Sequence, residues 1–231
     1  MTKKKHNGTN GALHIKSVVP LTKNQQKTFE AFHNKNLLLH GFAGTGKTYI
    51  ILALALKEIL ETGKYQNLCI VRSSVPSRNV GFLPGELSEK LEVFEMPYED
   101  ICNELLGKFD GYRQLKDKGQ VSFISTSYLR GVTLHDCIIL VDEIQNLDFG
   151  ELSTIITRLG KNVRVIFCGD FRQSDFRGNE EHYKKDVHNF MSVLKKMNGD
   201  FTIIEFGIDD IVRSPLVKNF LVLSEQLGYN T

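Results

Sequence analysis

Residues 36–56 read Asn36-Leu37-Leu38-Leu39-His40-Gly41-Phe42-Ala43-Gly44-Thr45-Gly46-Lys47-Thr48-Tyr49-Ile50-Ile51-Leu52-Ala53-Leu54-Ala55-Leu56, and this stretch decides the fold. A short apolar run able to form a buried strand leads into a glycine-rich turn, and the turn leads into a helix apolar on every side. Glycines let the backbone curl tightly enough for successive N–H groups to converge on a polyphosphate, at the positive end of the following helix. In that arrangement Gly41, Phe42, Ala43, Gly44, Thr45 and Gly46 form the cradle, Lys47 reaches the β- and γ-phosphates, and Thr48 holds Mg²⁺. The bland alternative is a glycine turn that merely joins a strand to a helix. The order of strand, turn and buried helix favours phosphate binding.

Outward from this unit, apolar runs at 67–71, 121–124, 137–141, 163–168 and 201–205 join the one at 37–40. They are short, mostly rich in β-branched residues and separated by segments long enough for crossovers. The expected fold is α/β: a mostly parallel, doubly wound sheet with helices on both faces. Thr22 to His33 predicts a helix capped by Thr22 or Asn24, ahead of the first strand. Residues 1–20 read as a flexible basic tail and 21–231 as one domain. The connection 72–120 exceeds an ordinary crossover and should carry helices of its own. Its stretch from Glu86 to Glu104 holds seven acidic residues and one lysine, read as a solvated helix face in preference to a docking surface for a neighbouring subunit.

A chain of 231 residues with 41% hydrophobic content can bury a substantial core. A net charge of +2 is too near neutral to argue for nucleic acid by itself, so any basic footprint must be local. Cys69, Cys102, Cys137 and Cys168 lack the close spacing of a zinc or redox motif and read as buried, reduced thiols. Lys3, Lys4 and Lys5 are followed by no apolar stretch, which argues against a signal peptide or membrane anchor and makes a cytoplasmic location the expectation.

The run Asp136-Cys137-Ile138-Ile139-Leu140-Val141-Asp142-Glu143 is an apolar strand ending in two acids. Beside a phosphate loop such a pair has a use: Asp142 would hold the Mg²⁺ shell while Glu143 orients and deprotonates the attacking water. Gly169-Asp170-Phe171-Arg172-Gln173 likewise begins where the run Val163 to Cys168 stops. The loop, Arg72, Asp142, Glu143, Asp170 and Gln173 therefore all fall near the carboxyl ends of expected strands, the edge where open α/β sheets bind ligands.

Asp142-Glu143-Ile144-Gln145-Asn146, with Gly169-Asp170 and then Gln173, resembles the motifs of superfamily 1 helicases, and the closer likeness is to the PhoH-like ATPase family. That likeness extends to Val71-Arg72, Gly81-Phe82-Leu83-Pro84-Gly85, Arg130-Gly131 and Asp210-Ile211-Val212-Arg213-Ser214-Pro215-Leu216-Val217. It implies a RecA-like core with helices on both sheet faces, ATP and Mg²⁺ as cofactors, and ATP hydrolysis. By the same resemblance Gln25 reads the adenine edge, although a solvated helix glutamine is the alternative. Gln173 senses the γ-phosphate, Asp170 positions the metal shell or the water, and Arg213 is a candidate arginine finger. Ile144 sits where many relatives carry a small residue, which implies altered packing behind the acids more than altered chemistry.

The resemblance also implies assembly. One RecA-like domain lacks the opposite wall of a two-domain cleft, and an arginine supplied in trans is worth about 10³–10⁵ in rate. A ring-shaped homo-oligomer, a hexamer by resemblance, is expected, with Arg213 or Arg72 facing a neighbour's nucleotide; action within its own subunit is the alternative. RNA or single-stranded DNA is the expected polymer. Phe171-Arg172 and Phe176-Arg177 can stack on bases and hold phosphates, or serve as core plugs and exposed charges, and Arg130 is a further candidate contact. The motor reading competes with a nucleotide-gated assembly module and with a phosphotransferase.

Overall fold

The computed structural model describes residues 13–73, 87–129, 131–170, 180–197 and 199–228. Six strands, β1 Asn36–Gly41, β2 Asn67–Arg72, β3 Val121–Ser125, β4 Cys137–Val141, β5 Val163–Gly169 and β6 Phe201–Phe206, form one sheet in the order β3-β2-β4-β5-β1-β6. Every neighbouring pair is parallel. All six expected strands are present, each within a residue or two of its apolar run. Near-continuous burial of β1, β2, β4 and β5 is what a sheet covered on both faces requires of its interior strands.

Alternation along β1 shows how the sheet divides the core. Leu37 and Leu39 face one layer together with helices α1 Lys23–Phe32, α2 Lys47–Thr62, α3 Leu87–Leu106 and α4 Gly111–Asp117. Leu38 faces the other, with α5 Phe149–Thr157 and α6 Glu180–Lys196. The sheet is doubly wound as expected. The long connection after β2 does carry its own helices, α3 and α4, and both pack on the α2 side of the sheet. Thr22 is the N-cap of α1, accepting a hydrogen bond from Gln25 N.

Two expectations need adjusting. The tail was placed through residue 20, yet Leu13 is buried and Lys16 N donates to Leu105 O at 2.9 Å, so 13–20 lies along α3. The acidic stretch of α3 is also partly used inside the molecule. Glu95 accepts from Tyr112 Oη at 2.6 Å and Lys116 Nζ at 2.7 Å, and Glu104 from Tyr49 Oη at 3.1 Å. The four cysteines are buried and unpaired, as expected.

At the edge opposite the glycine loop, Arg164 of β5 is buried between the rings of Phe32 and Tyr65, with centroids 5.1 and 5.2 Å from its guanidinium carbon. Its Nη1 donates to the buried Glu58 carboxylate at 2.9 Å. Removing one member of a buried pair leaves the other charge uncompensated. Arg164→Leu is therefore expected to destabilise the fold by about 3 kcal/mol, read as a lower midpoint in urea unfolding at unchanged slope.

Candidate active site

The glycine loop springs from β1 where Gly41 adopts φ 125°, a backbone region closed to other L residues. A Cβ there would lie 2.0 Å from Phe206 O, so glycine is required for contact as well as conformation. Phe42 N donates to that same carbonyl at 3.0 Å, which ties the loop to β6. Gly46, at φ 79°, is the N-cap of α2, so the helix opens with unpaired N–H groups and no side-chain cap. An anion seated there would meet both those donors and the helix dipole.

A cleft of about 580 Å³ opens over this turn, lined by the loop, Gln25, Glu104, Asp142, Glu143, Gly169, Asp170 and Arg213 among others. Lys47 Nζ bonds Gly41 O at 2.9 Å, Phe42 O at 2.8 Å and Thr45 Oγ1 at 3.3 Å, folding the ammonium over its own loop. Burial pushes the Lys47 pKa below its ordinary value, and the Asp170 carboxylate opposes this most strongly, followed by Cys168, Asp142 and Glu143. Thr48 Oγ1 lies 3.2 and 3.1 Å from the two oxygens of Asp142, so the loop hydroxyl and the acid at the end of β4 face the same point. Burial raises the Asp142 carboxyl above the usual range, with Arg72 opposing most strongly.

These groups fit a phosphate-bound Mg²⁺. A hydroxyl and one carboxylate are hard oxygen donors, and Mg²⁺ typically takes one or two such ligands beside substrate phosphates and water. Among the described residues no group of three or more His, Cys, Asp or Glu side chains makes a self-sufficient metal cage. Such an ion would be shared with a phosphate ligand.

Strand order decides the remaining geometry. Because β5 lies between β1 and β4, its end at Gly169 and Asp170 stands between the loop and the acid pair. Asp170 Oδ2 accepts from Ala43 N at 3.1 Å, and Asp170 N donates to Gln145 Oε1 at 3.1 Å. Gln145 Nε2 in turn donates to Glu143 Oε2 at 2.5 Å. A continuous hydrogen-bonded path thus joins loop, β5 end and Glu143. Glu143 itself sits at φ 55°, a left-handed conformation that turns the chain sharply after β4 into a 3₁₀ turn over Ile144–Asn146. Ile144 is fully buried and packs against the end of β5.

Gln25 lines the cleft with its amide engaged: Nε2 donates to Thr45 O at 3.0 Å and Oε1 accepts from Leu21 N at 2.7 Å. One N–H and one lone pair remain for a ligand. Arg213 is held over its own loop, where Val212 N donates to Gly44 O at 3.0 Å and the Arg213 stem crowds Gly44. Asn24 Nδ2, bonded to Asp210 Oδ2 at 2.7 Å, fastens α1 to the segment that carries Arg213. The Arg72 guanidinium lies 5.7 Å from the Phe94 ring centroid and stands beside Tyr98, Glu143 and Asp142. Arg130, Arg172, Gln173 and Arg177 lie outside the described residues.

Two contributors were given no role on sequence grounds. Gln145 was readable as the residue two beyond Glu143, but its bonds depend on β5 being next to β4. Tyr98 carries no local signal at all: its hydroxyl meets Asp142 Oδ2 at 3.1 Å from 44 positions away. Burial pushes this phenol well above its ordinary pKa, so it acts as a neutral donor to the carboxylate.

The PhoH-like protein family matches residues 17–225, which takes in every element that builds the cleft. The chain belongs to this family. A PhoH-like protein of Bacillus subtilis is 32% identical over 85% of this chain and 60% of its own length. Protein PhoH of Escherichia coli is 32% identical over 83% of this chain and 54% of its own length. The chain thus spans little more than half the length of these curated relatives. Among solved structures, Bacteroides Pif1 bound to single-stranded DNA covers 93% of this chain and 48% of its own, at 17% identity and a TM-score of 0.44. This PhoH-like chain places its glycine loop between β1 and α2 of an all-parallel six-stranded sheet. No helix among the described residues is long and apolar enough to cross a membrane.

Gly169 shows how closely the PhoH-like site is packed. A Cβ there would meet Gln145 Oε1 and Ile144 Cγ1, each at 2.7 Å. Gly169→Ala is expected to cost about 1–3 kcal/mol, measured by denaturant unfolding, as the Gln145 bridge is pushed aside.

Proposed function

We propose that this chain binds ATP with Mg²⁺, hydrolyses it, and couples the cycle to a helicase-like action on RNA or single-stranded DNA. The observation that supports hydrolysis is the convergence of Lys47, Thr48, Asp142, Glu143 and Asp170 on one cleft. The loop N–H groups would bind the phosphates, and Lys47 would exchange its own carbonyls for β- and γ-phosphate oxygens. Thr48 and Asp142 would hold Mg²⁺, which when bound neutralises charge developing on the phosphates. Glu143 is the base for the attacking water, and the Gln145 bridge orients its carboxylate. Asp170, joined to the loop through Ala43, keeps the β5 end in register with the phosphates.

Gln25 is proposed for adenine and, by family resemblance, Gln173 for the γ-phosphate. The place of Arg213 over its own loop supports action within its own subunit. Arg130, Arg172 and Arg177 are proposed to contact nucleic acid on sequence grounds. A ring of copies, hexameric by resemblance, has one supporting observation. Helix α7, Pro215–Gln226, begins two residues after Arg213, and Leu216, Phe220, Leu223 and Leu227 form an exposed apolar stripe at helical spacing.

Lys47→Ala is expected to weaken ATP binding in a direct titration. Glu143→Gln should leave binding intact and lower turnover by about 10²–10⁴-fold, and turnover equal to the parent would remove the base assignment. Single-stranded RNA or DNA should stimulate the parent ATPase. Arg172→Ala with Arg177→Ala should weaken polymer binding and flatten its dependence on salt. Turnover indifferent to every polymer would leave a nucleotide-gated or phosphotransfer role in place of the motor. Sedimentation of the parent protein with and without nucleotide tests the ring, which a monomer throughout would exclude.

A further inference from the structure

The inserted helix α3 reaches the centre of the site through a single hydroxyl. Tyr98 is 1% exposed and its Oη lies 3.1 Å from Asp142 Oδ2. Arg72, at the end of β2, stands beside the same hydroxyl and carries a charge that opposes the rise of the Asp142 carboxyl. A phenol has one proton to give, and this one goes to Asp142. Burial removes water as a competing partner. The other donors to this carboxylate, Thr48 Oγ1 and Glu143 N, belong to the loop and the strand end that form the site locally. Tyr98 alone of these three comes from the insertion.

The seat of Tyr98 is itself fixed. Its ring lies against Phe123 of β3 at a centroid distance of 5.9 Å, and Phe94, one turn earlier, lies under the Arg72 guanidinium. Farther along α3, Glu104 accepts from Tyr49, the residue after Thr48. The acid expected to hold Mg²⁺ and the residue that follows the loop hydroxyl therefore both make contact with one helix.

We propose that Tyr98 is a positioning residue for Asp142, so that α3 sets the geometry in which the site takes Mg²⁺. This rests on the nucleotide reading above. Groups that orient a metal ligand from outside commonly change metal affinity by about 10–100-fold when removed. Tyr98→Phe deletes one oxygen and keeps the ring volume.

The test titrates Mg²⁺ into protein mixed with a fluorescent ATP analogue and follows nucleotide binding, with melting temperature and metal-free ADP binding measured alongside. Tyr98→Phe is expected to raise the Mg²⁺ midpoint about tenfold while metal-free ADP binding stays at the parental level. Phe94→Leu, which takes the ring from under Arg72, should move the midpoint the same way by less. Glu95→Gln weakens the α3–α4 contact away from Asp142 and should lower the melting temperature alone. A Tyr98→Phe midpoint equal to that of a parent that binds the analogue overturns the proposal and leaves the nucleotide reading standing. A parent that binds no nucleotide with Mg²⁺ present overturns both.

Discussion

The constraint on which this structure depends is the approach of Gly41 to the carbonyl of Phe206. Strand β1 runs through the middle of the core and must end abruptly if the following helix is to point its N-terminus at a ligand. A side chain at Gly41 would occupy the space of a backbone carbonyl, at 2.0 Å. Its absence lets Phe42 N bond that carbonyl and lets the chain turn at once into the loop. The burial of Lys47, the opening of α2 at Gly46 and the bond from Ala43 to Asp170 all follow from where this turn begins.

Placing β5 between β1 and β4 then creates the chemistry. With β5 between them, the strand ends that bear the loop and the acid pair stand two strand spacings apart, about 9.6 Å. Asp170 and Gln145 fill that interval with directed hydrogen bonds, so Glu143 is tied to the glycine loop by protein atoms and not by solvent. Burial weakens solvent screening of the cluster, and each acid or cation in it is accompanied by an opposing charge or a hydrogen-bond partner. The raised carboxyl of Asp142 and the lowered ammonium of Lys47 have this common origin.

Much of this was legible in the chain. Apolar runs marked all six strands, near-continuous in β1, β2, β4 and β5 because a sheet covered on both faces leaves its interior strands no room for alternation, and Thr22 marked the start of α1 because a hydroxyl there satisfies an open backbone donor. The places of Lys47 and Thr48 at the start of α2 and of Asp142 and Glu143 after β4 were legible because a glycine turn and the end of an apolar run each mark a boundary in the sequence. Arg72 was legible at the end of β2 but its neighbours were not, since Phe94 and Tyr98 reach it from a helix whose packing no local pattern reveals. The ordered segment 13–20 was missed for a similar reason: a short extended stretch without periodicity shows its docking only through Leu13 and Lys16 against their partners.

The amino-acid sequence by itself determined the strands, the glycine turn and the identity of the charged groups at the sheet's carboxyl edge, because each depends on residues near one another along the chain. Only the tertiary structure decided which strand ends are neighbours. It thereby gave Gln145 its bridge, set Arg213 over its own loop, and brought Tyr98 to Asp142 across 44 positions. Local propensity follows from backbone sterics and hydrophobic spacing, whereas contacts between distant residues exist only once burial of the two core layers has chosen the order of the strands.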